Sequence, residues 1–251
     1  MIERIALIAA LLFPLSGFAA GGGAQGAWWE PPNVNLGNEA SLQRGAQLFV
    51  NYCMGCHTAK YHRWMHVSGD LDIPADVVED NLIWTTDETG KKDGVGSLMT
   101  NAMTKKYGQD VFGKQPPDLT LTARSRGPGW IYNYLRTFYV EESSPTGVNN
   151  AVLAGASMPH VLWELQGFQR PVYAEDGHDD KHIQSFELVQ EGAMSPDEFD
   201  RAMNDLVNFM VYLGEPARMD RTAVGSWVLL FLLVFLGFAY VLKKEYWKDV
   251  H

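Results

Sequence analysis

Cysteine is scarce in this chain: 251 residues carry two, Cys53 and Cys56. Two cannot build the disulfide framework that holds small secreted domains together, and a bridge closing so short a loop would remove little entropy from the unfolded chain. Basic side chains are also in short supply, 20 Lys and Arg against 30 Asp and Glu, a formal net charge of −10. That balance excludes the electrostatic footprint of nucleic-acid binding and suits a cationic protein partner instead. There is no low-complexity tract, and 46% apolar residues over this length suffice for one core but hardly for two.

Both ends carry appendages. An apolar run from Ile5 to Leu15 behind Arg4 leads into Ser16-Gly17-Phe18-Ala19-Ala20, the outline of a secretory signal peptide, too short to span a bilayer. At the other end, Thr222 to Leu242 lacks charge and lacks the polar stripe of a surface helix. Its 21 residues make about 31 Å of helix, the thickness of the hydrocarbon layer. Trp227 stands near one interface, Tyr240, Tyr246 and Trp247 near the other, with Lys243 and Lys244 following. The expected organisation is a signal peptide at 1–19, an exported globular domain at 20–217 and an anchor with a short cytoplasmic tail at 218–251. Formal counting leaves the exported body at about −11.

The two cysteines stand in Cys53-Met54-Gly55-Cys56-His57. A disulfide or a thioredoxin-like pair gives the adjacent histidine no role, whereas covalent attachment of a c-type haem uses all three residues. Two thioethers from one turn would clamp the porphyrin edge, with His57 facing the iron. Ser41 to Tyr52 reads as the helix leading into this turn, with Leu42, Gly45, Phe49 and Tyr52 along one face. Ser195 to Leu213 reads as its partner: Ser195 as N-cap, Pro196 at the first position, Glu198 completing a capping box, and a stripe of Phe199, Met203, Leu206, Met210 and Leu213. Gly214 and Pro216 stop it. The fold class is mainly α, a mono-haem cytochrome c-like domain with long loop insertions, the two helices crossing where Gly45 permits close approach.

A second axial ligand separates an electron carrier from an open-site haem enzyme. Met65 and His66 lie too near the attachment turn, Met203 and Met210 belong to the helical stripe, and Met194 suits a hydrophobic staple with Phe199. Met99 and Met103 stay open on spacing. Met158 stands in Gly155-Ala156-Ser157-Met158-Pro159-His160, where the following proline favours an extended loop, with His160 its main rival. A thioether ligand favours reduced iron and raises the potential.

Taken with Pro116-Pro117-Asp118-Leu119-Thr120, Arg124-Ser125-Arg126-Gly127, the Met158-Pro159 loop and the anchor after Gly214-Glu215-Pro216, the sequence resembles the cytochrome c1 family of the cytochrome bc1 complex over nearly the whole mature chain. The resemblance implies one covalently bound haem c, Met158 as the sixth iron ligand, Arg126 against a haem propionate and Tyr132 near the haem. It implies a Rieske iron-sulfur protein and cytochrome b as neighbours, a soluble basic cytochrome c as acceptor, and a single-pass protein of the bacterial inner membrane with its haem domain in the periplasm. Such a chain is a redox subunit of a ubiquinol-cytochrome c reductase rather than an enzyme with its own substrate site. Val95 to Lys114 lacks the Asn-rich stretch of many relatives, so no contact is carried over there. Other readings are a free-standing tethered shuttle to an oxidase, or an open-site peroxidase or gas sensor. Glu79-Asp80 with Asp70, Asp72 and Asp76, and Glu175-Asp176 with Asp179-Asp180, are the acidic clusters expected to meet a basic partner.

Overall fold

The structure, a computed structural model, describes residues 28–174 and 182–249. The expected signal peptide, the acidic group Glu175, Asp176, Asp179 and Asp180, and the terminal His251 lie outside the described residues. Helix α1 (Glu39–Tyr52) begins two residues before the expected start, because Asn38 accepts from Ser41 N–H at 3.2 Å and caps it. Strand β1 (Ala59–Arg63), helices α2 (Trp64–Asp70) and α3 (Ala75–Asn81), strand β2 (Leu98–Met99) and helix α4 (Lys105–Phe112) form the first excursion. Helices α5 (Thr122–Ser125) and α6 (Pro128–Arg136) follow, then strands β3 (Phe138–Val140) and β4 (Val148–Asn150), and helix α7 (Trp163–Gln166). Strands β5 (Gly167–Tyr173) and β6 (Ile183–Glu191), helix α8 (Pro196–Gly214) and helix α9 (Arg218–Tyr246) complete the order.

The core forms where α1 crosses α8. A Cβ on Gly45 would collide with the Asp205 carbonyl oxygen and the Phe209 side chain, so glycine sets this crossing. Leu42 and Phe49 of α1 meet Met203, Leu206, Phe209 and Leu213 of α8, all buried. At about 25 cal/mol per Å² of apolar surface removed from water, such a seam dominates the stability of the domain. Polar bonds fix the register: Ser41 Oγ–H donates to Asp205 Oδ1 at 2.5 Å, Arg44 Nε–H to Asp205 Oδ2 at 2.6 Å, and Asn208 Nδ2–H to Ser41 Oγ at 2.8 Å. Helices α5 and α6 pack on the other flank of α8, and Arg136 joins α6 to α8 through paired bonds to Asp200 at 2.6 and 2.8 Å.

The strands pair antiparallel as β1–β2, β3–β4 and β5–β6. The β5–β6 ribbon is an element that the helical reading of the sequence did not include. Helix α9 extends beyond the uncharged run at both ends. Its span Ala223–Tyr246 has a mean hydropathy of 2.3, and none of its most apolar window is buried, so it is long and apolar enough to cross a membrane.

Candidate haem site

Helix α1 hands the chain directly to the attachment turn. Cys53 N–H donates to Phe49 O at 2.9 Å, and His57 N–H to Cys53 O at 2.8 Å, so residues 53–57 continue the helix as a tight coil. Burial pushes the Cys53 thiol up to about 12, with the Cys56 charge adding to it, and burial also raises Cys56. Neither is the low-pKa thiolate that a thioredoxin-like pair requires.

The segment after His57 is zipped to the Pro116-Pro117-Asp118 run. Leu119 N–H donates to Thr58 O at 2.7 Å, Thr58 Oγ1–H to Asp118 Oδ2 at 2.6 Å, and Lys60 N–H to the same oxygen at 2.8 Å. Burial alone would raise the Asp118 carboxyl, but these bonds and those from Thr120 together hold it below the usual range. The clasp brings Pro117 O to 2.8 Å from His57 Nδ1. A carbonyl only accepts, so Nδ1 carries the proton and Nε2 keeps its lone pair. Burial lowers the His57 pKa, against smaller opposing effects of Pro117 and Asp118, and keeps the ring neutral.

The methionine loop arrives from β4. Asn150 Oδ1 accepts from Val152 and Leu153 N–H at 2.9 and 3.1 Å, and Asn149 Oδ1 accepts from Gly155 N–H at 2.8 Å. Gly155, at φ +71°, takes the left-handed turn that the bend needs. His160 pins the far end: it is buried, stacks on Phe138 at 5.2 Å, and donates from Nε2 to Gly167 O at 3.2 Å. It therefore turns into the core, while Met158 does not.

Cys56, His57 and Met158 line one cleft with Tyr52, Phe112, Lys114, Pro116, Pro117, Ser157, Pro159 and Val161. Its empty volume is ≈ 510 Å³, including space open to solvent. A larger groove of ≈ 1,210 Å³ on the same measure borders Met54 and Gly55, but has neither His57 nor Met158 in its lining. The other methionines are elsewhere: Met65 is exposed, Met99, Met203 and Met210 are in the core, Met194 packs at its edge, and Met103 lines the larger groove.

Arg126 and Tyr132 do not line the cleft. The Arg126 guanidinium lies over Trp130 at 5.2 Å. Tyr132 is buried between α6 and α8, with Arg136 over its ring at 4.7 Å and its oxygen accepting from Asn204 Nδ2–H at 3.3 Å. Sequence reasoning missed Phe112 and Lys114, which fall in the stretch where no contact was carried over. It gave Pro117 no role, because the bond to His57 joins positions 60 residues apart.

A model of the Cytochrome C1 family matches residues 33–250. The chain belongs to the cytochrome c1 family. It is 43% identical over 244 residues to a cytochrome c1 of Allochromatium vinosum, covering 96% of each chain. It is 42% identical over 250 residues to a protein of Nitrosomonas europaea named ammonia monooxygenase gamma subunit, covering 99% of this chain and 98% of that one. A cytochrome b/c1 of Bradyrhizobium diazoefficiens is 24% identical over 240 residues, which are 85% of this chain and 34% of the relative. As a cytochrome c1 family member the chain carries one covalently bound haem c and serves electron transfer in a bc1 complex. The cleft suits that group: the Cys56 thiol and an imidazole with a free nitrogen line it from one turn, the Cys53 thiol is buried on that same turn outside the lining, a thioether lines it from a second segment, and apolar residues complete it.

Proposed function

We propose that the chain carries single electrons from a Rieske iron-sulfur subunit to a soluble basic cytochrome c. The observation that supports this most is that His57 and Met158 reach one cleft from separate segments. When bound, the haem supplies one-electron exchange between ferric and ferrous iron. Cys53 and Cys56 bear the thioether links. His57, oriented by Pro117, would hold the iron through Nε2, and Met158 would hold it through its sulfur. Tyr52, Phe112 and the prolines line the cleft with apolar surface, which would favour the less charged reduced centre and raise the potential. Export of the body, with the tail after α9 in the cytoplasm, puts this site in the periplasm of a bacterial inner membrane.

The name cytochrome b/c1 supports a b-type cytochrome as neighbour. The relative named as a monooxygenase subunit favours a second reading, the same carrier serving a different membrane assembly. Copurification from gently solubilised membranes separates them: a b-type cytochrome and a Rieske protein should accompany the chain in the first reading. For the ligation, Met158→Leu should lower the reduction potential and let carbon monoxide bind the reduced protein. Rapid carbon monoxide binding by the unaltered protein at neutral pH would refute Met158 as ligand.

A further inference from the structure

We infer that Lys114 is a potential-setting residue of the haem site, an exposed cation in the lining of the cleft that stabilises the reduced centre. This rests on the reading of His57 and Met158 as axial ligands. Lys114 is the one charged side chain among the residues lining the cleft, in a body that is otherwise strongly acidic. Its backbone is fixed on both sides. Gly113, left-handed at φ +72°, ends α4, and Gln109 Nε2–H donates to its carbonyl at 2.5 Å. Two residues on, Pro116 packs against Gly108 so closely that a Cβ there would lie 2.9 Å from the proline Cδ.

Reduction adds one negative charge at the iron, so a nearby cation favours the reduced state. Asp118, beside His57, acts in the opposite direction, and the carboxylates spread over the rest of the body are screened by water and salt within about 10 Å. One ammonium lining the cleft is screened less, although its exposure weakens it. Whether it acts on the iron directly or neutralises a haem carboxylate, the sign is the same: removing it lowers the potential. Arg126 is the alternative cation, but its guanidinium is seated on Trp130 and does not line the cleft.

The test is an equilibrium redox titration of the detergent-solubilised holoprotein and four variants, with mediators, in low and high salt. Lys114→Gln should shift the reduced-to-oxidised ratio about two- to fivefold toward oxidised, about 20–40 mV downward for a one-electron couple. Lys114→Glu should move it about twice as far, Lys114→Arg should match the wild type, Arg126→Gln should shift less than Lys114→Gln, and high salt should shrink every shift. The thioether-to-iron absorption band reports ligation independently. Its absence from the wild type would overturn the ligand reading, while the titrations would still measure Lys114. Wild-type potentials in Lys114→Gln and Lys114→Glu, or a larger shift in Arg126→Gln, would overturn the role given to Lys114.

Discussion

Asp118 shows how far one carboxylate reaches in this protein. It gathers Thr58, Lys60 and Thr120 and so sets the Pro117 carbonyl against His57. Asp118→Ala leaves the part-buried donors of Thr58 and Thr120 unmatched and should cost about 1 kcal/mol in chemical denaturation. It should also raise the reduction potential, because the lost negative charge and the weakened Nδ1–H bond both favour reduced iron. His62 and His160 supply a pH prediction. Burial holds both down to about 4, His66 adding to the effect on His62, and smaller effects of Asp70 on His62 and of the Gly167 carbonyl on His160 oppose it. The unfolded chain takes up protons near pH 6.5 that the folded one refuses, so stability is full above about 6.5 and falls as pH drops toward 4. Thermal melts should show this slope, reduced in His62→Gln. The attachment motif was legible because His57 beside the two cysteines discloses its chemistry, and Pro159 marked the Met158 loop, which the structure brings to the same cleft as Cys56 and His57. The clasp was not, since no local pattern announces a partner 60 residues away.

Among elements, the α1–α8 crossing was readable from stripe and cap alone. Gly45→Ala must push Asp205 and Phe209 aside, and should destabilise the domain by about 1–3 kcal/mol, measured by denaturant midpoint. At the start of α8, Glu198 accepts from Ser195 N–H at 2.9 Å and Ser195 Oγ–H at 2.7 Å. Removing that carboxylate in Glu198→Ala should lower the midpoint in the same assay. The β5–β6 ribbon escaped notice for a physical reason. Pro171 sits inside β5, opposite Phe186, and a proline normally argues against a central strand. A two-stranded ribbon has only edges, so a missing N–H is tolerated there. The short pieces of the first excursion, such as β2 with two residues, carry too little periodicity to be read at all.

At the scale of the whole molecule, the haem domain and its anchor are nearly separate. The most apolar window of α9 is unburied, and all of the domain's core lies before it apart from Met219 at its edge. Ending the chain after Ala217 should therefore release a water-soluble holoprotein with the parent's absorption spectrum and potential. Loss of haem from that fragment would show that α9 supports the fold. The long apolar C-terminal helix and the family likeness were legible in the sequence, while the acidic clusters were legible only as composition. In the structure, Asp70 accepts from Tyr212 at 2.7 Å and Glu79 from Val95 N–H at 3.0 Å, so part of that cluster already has work inside the fold.

The clasp between Thr58 and Leu119 has an evolutionary consequence. Everything from β1 to α4 leaves and re-enters the chain through a neck closed by one main-chain bond of 2.7 Å and the Asp118 bonds. Lengthening a loop beyond a closed neck costs little, about 0.6 kcal/mol per doubling. Length can therefore change at small cost in the mostly exposed stretch between Ile83 and β2, whereas Trp64, Val67, Leu71, Val78, Ile83 and Met99 tie the rest of the excursion into the core.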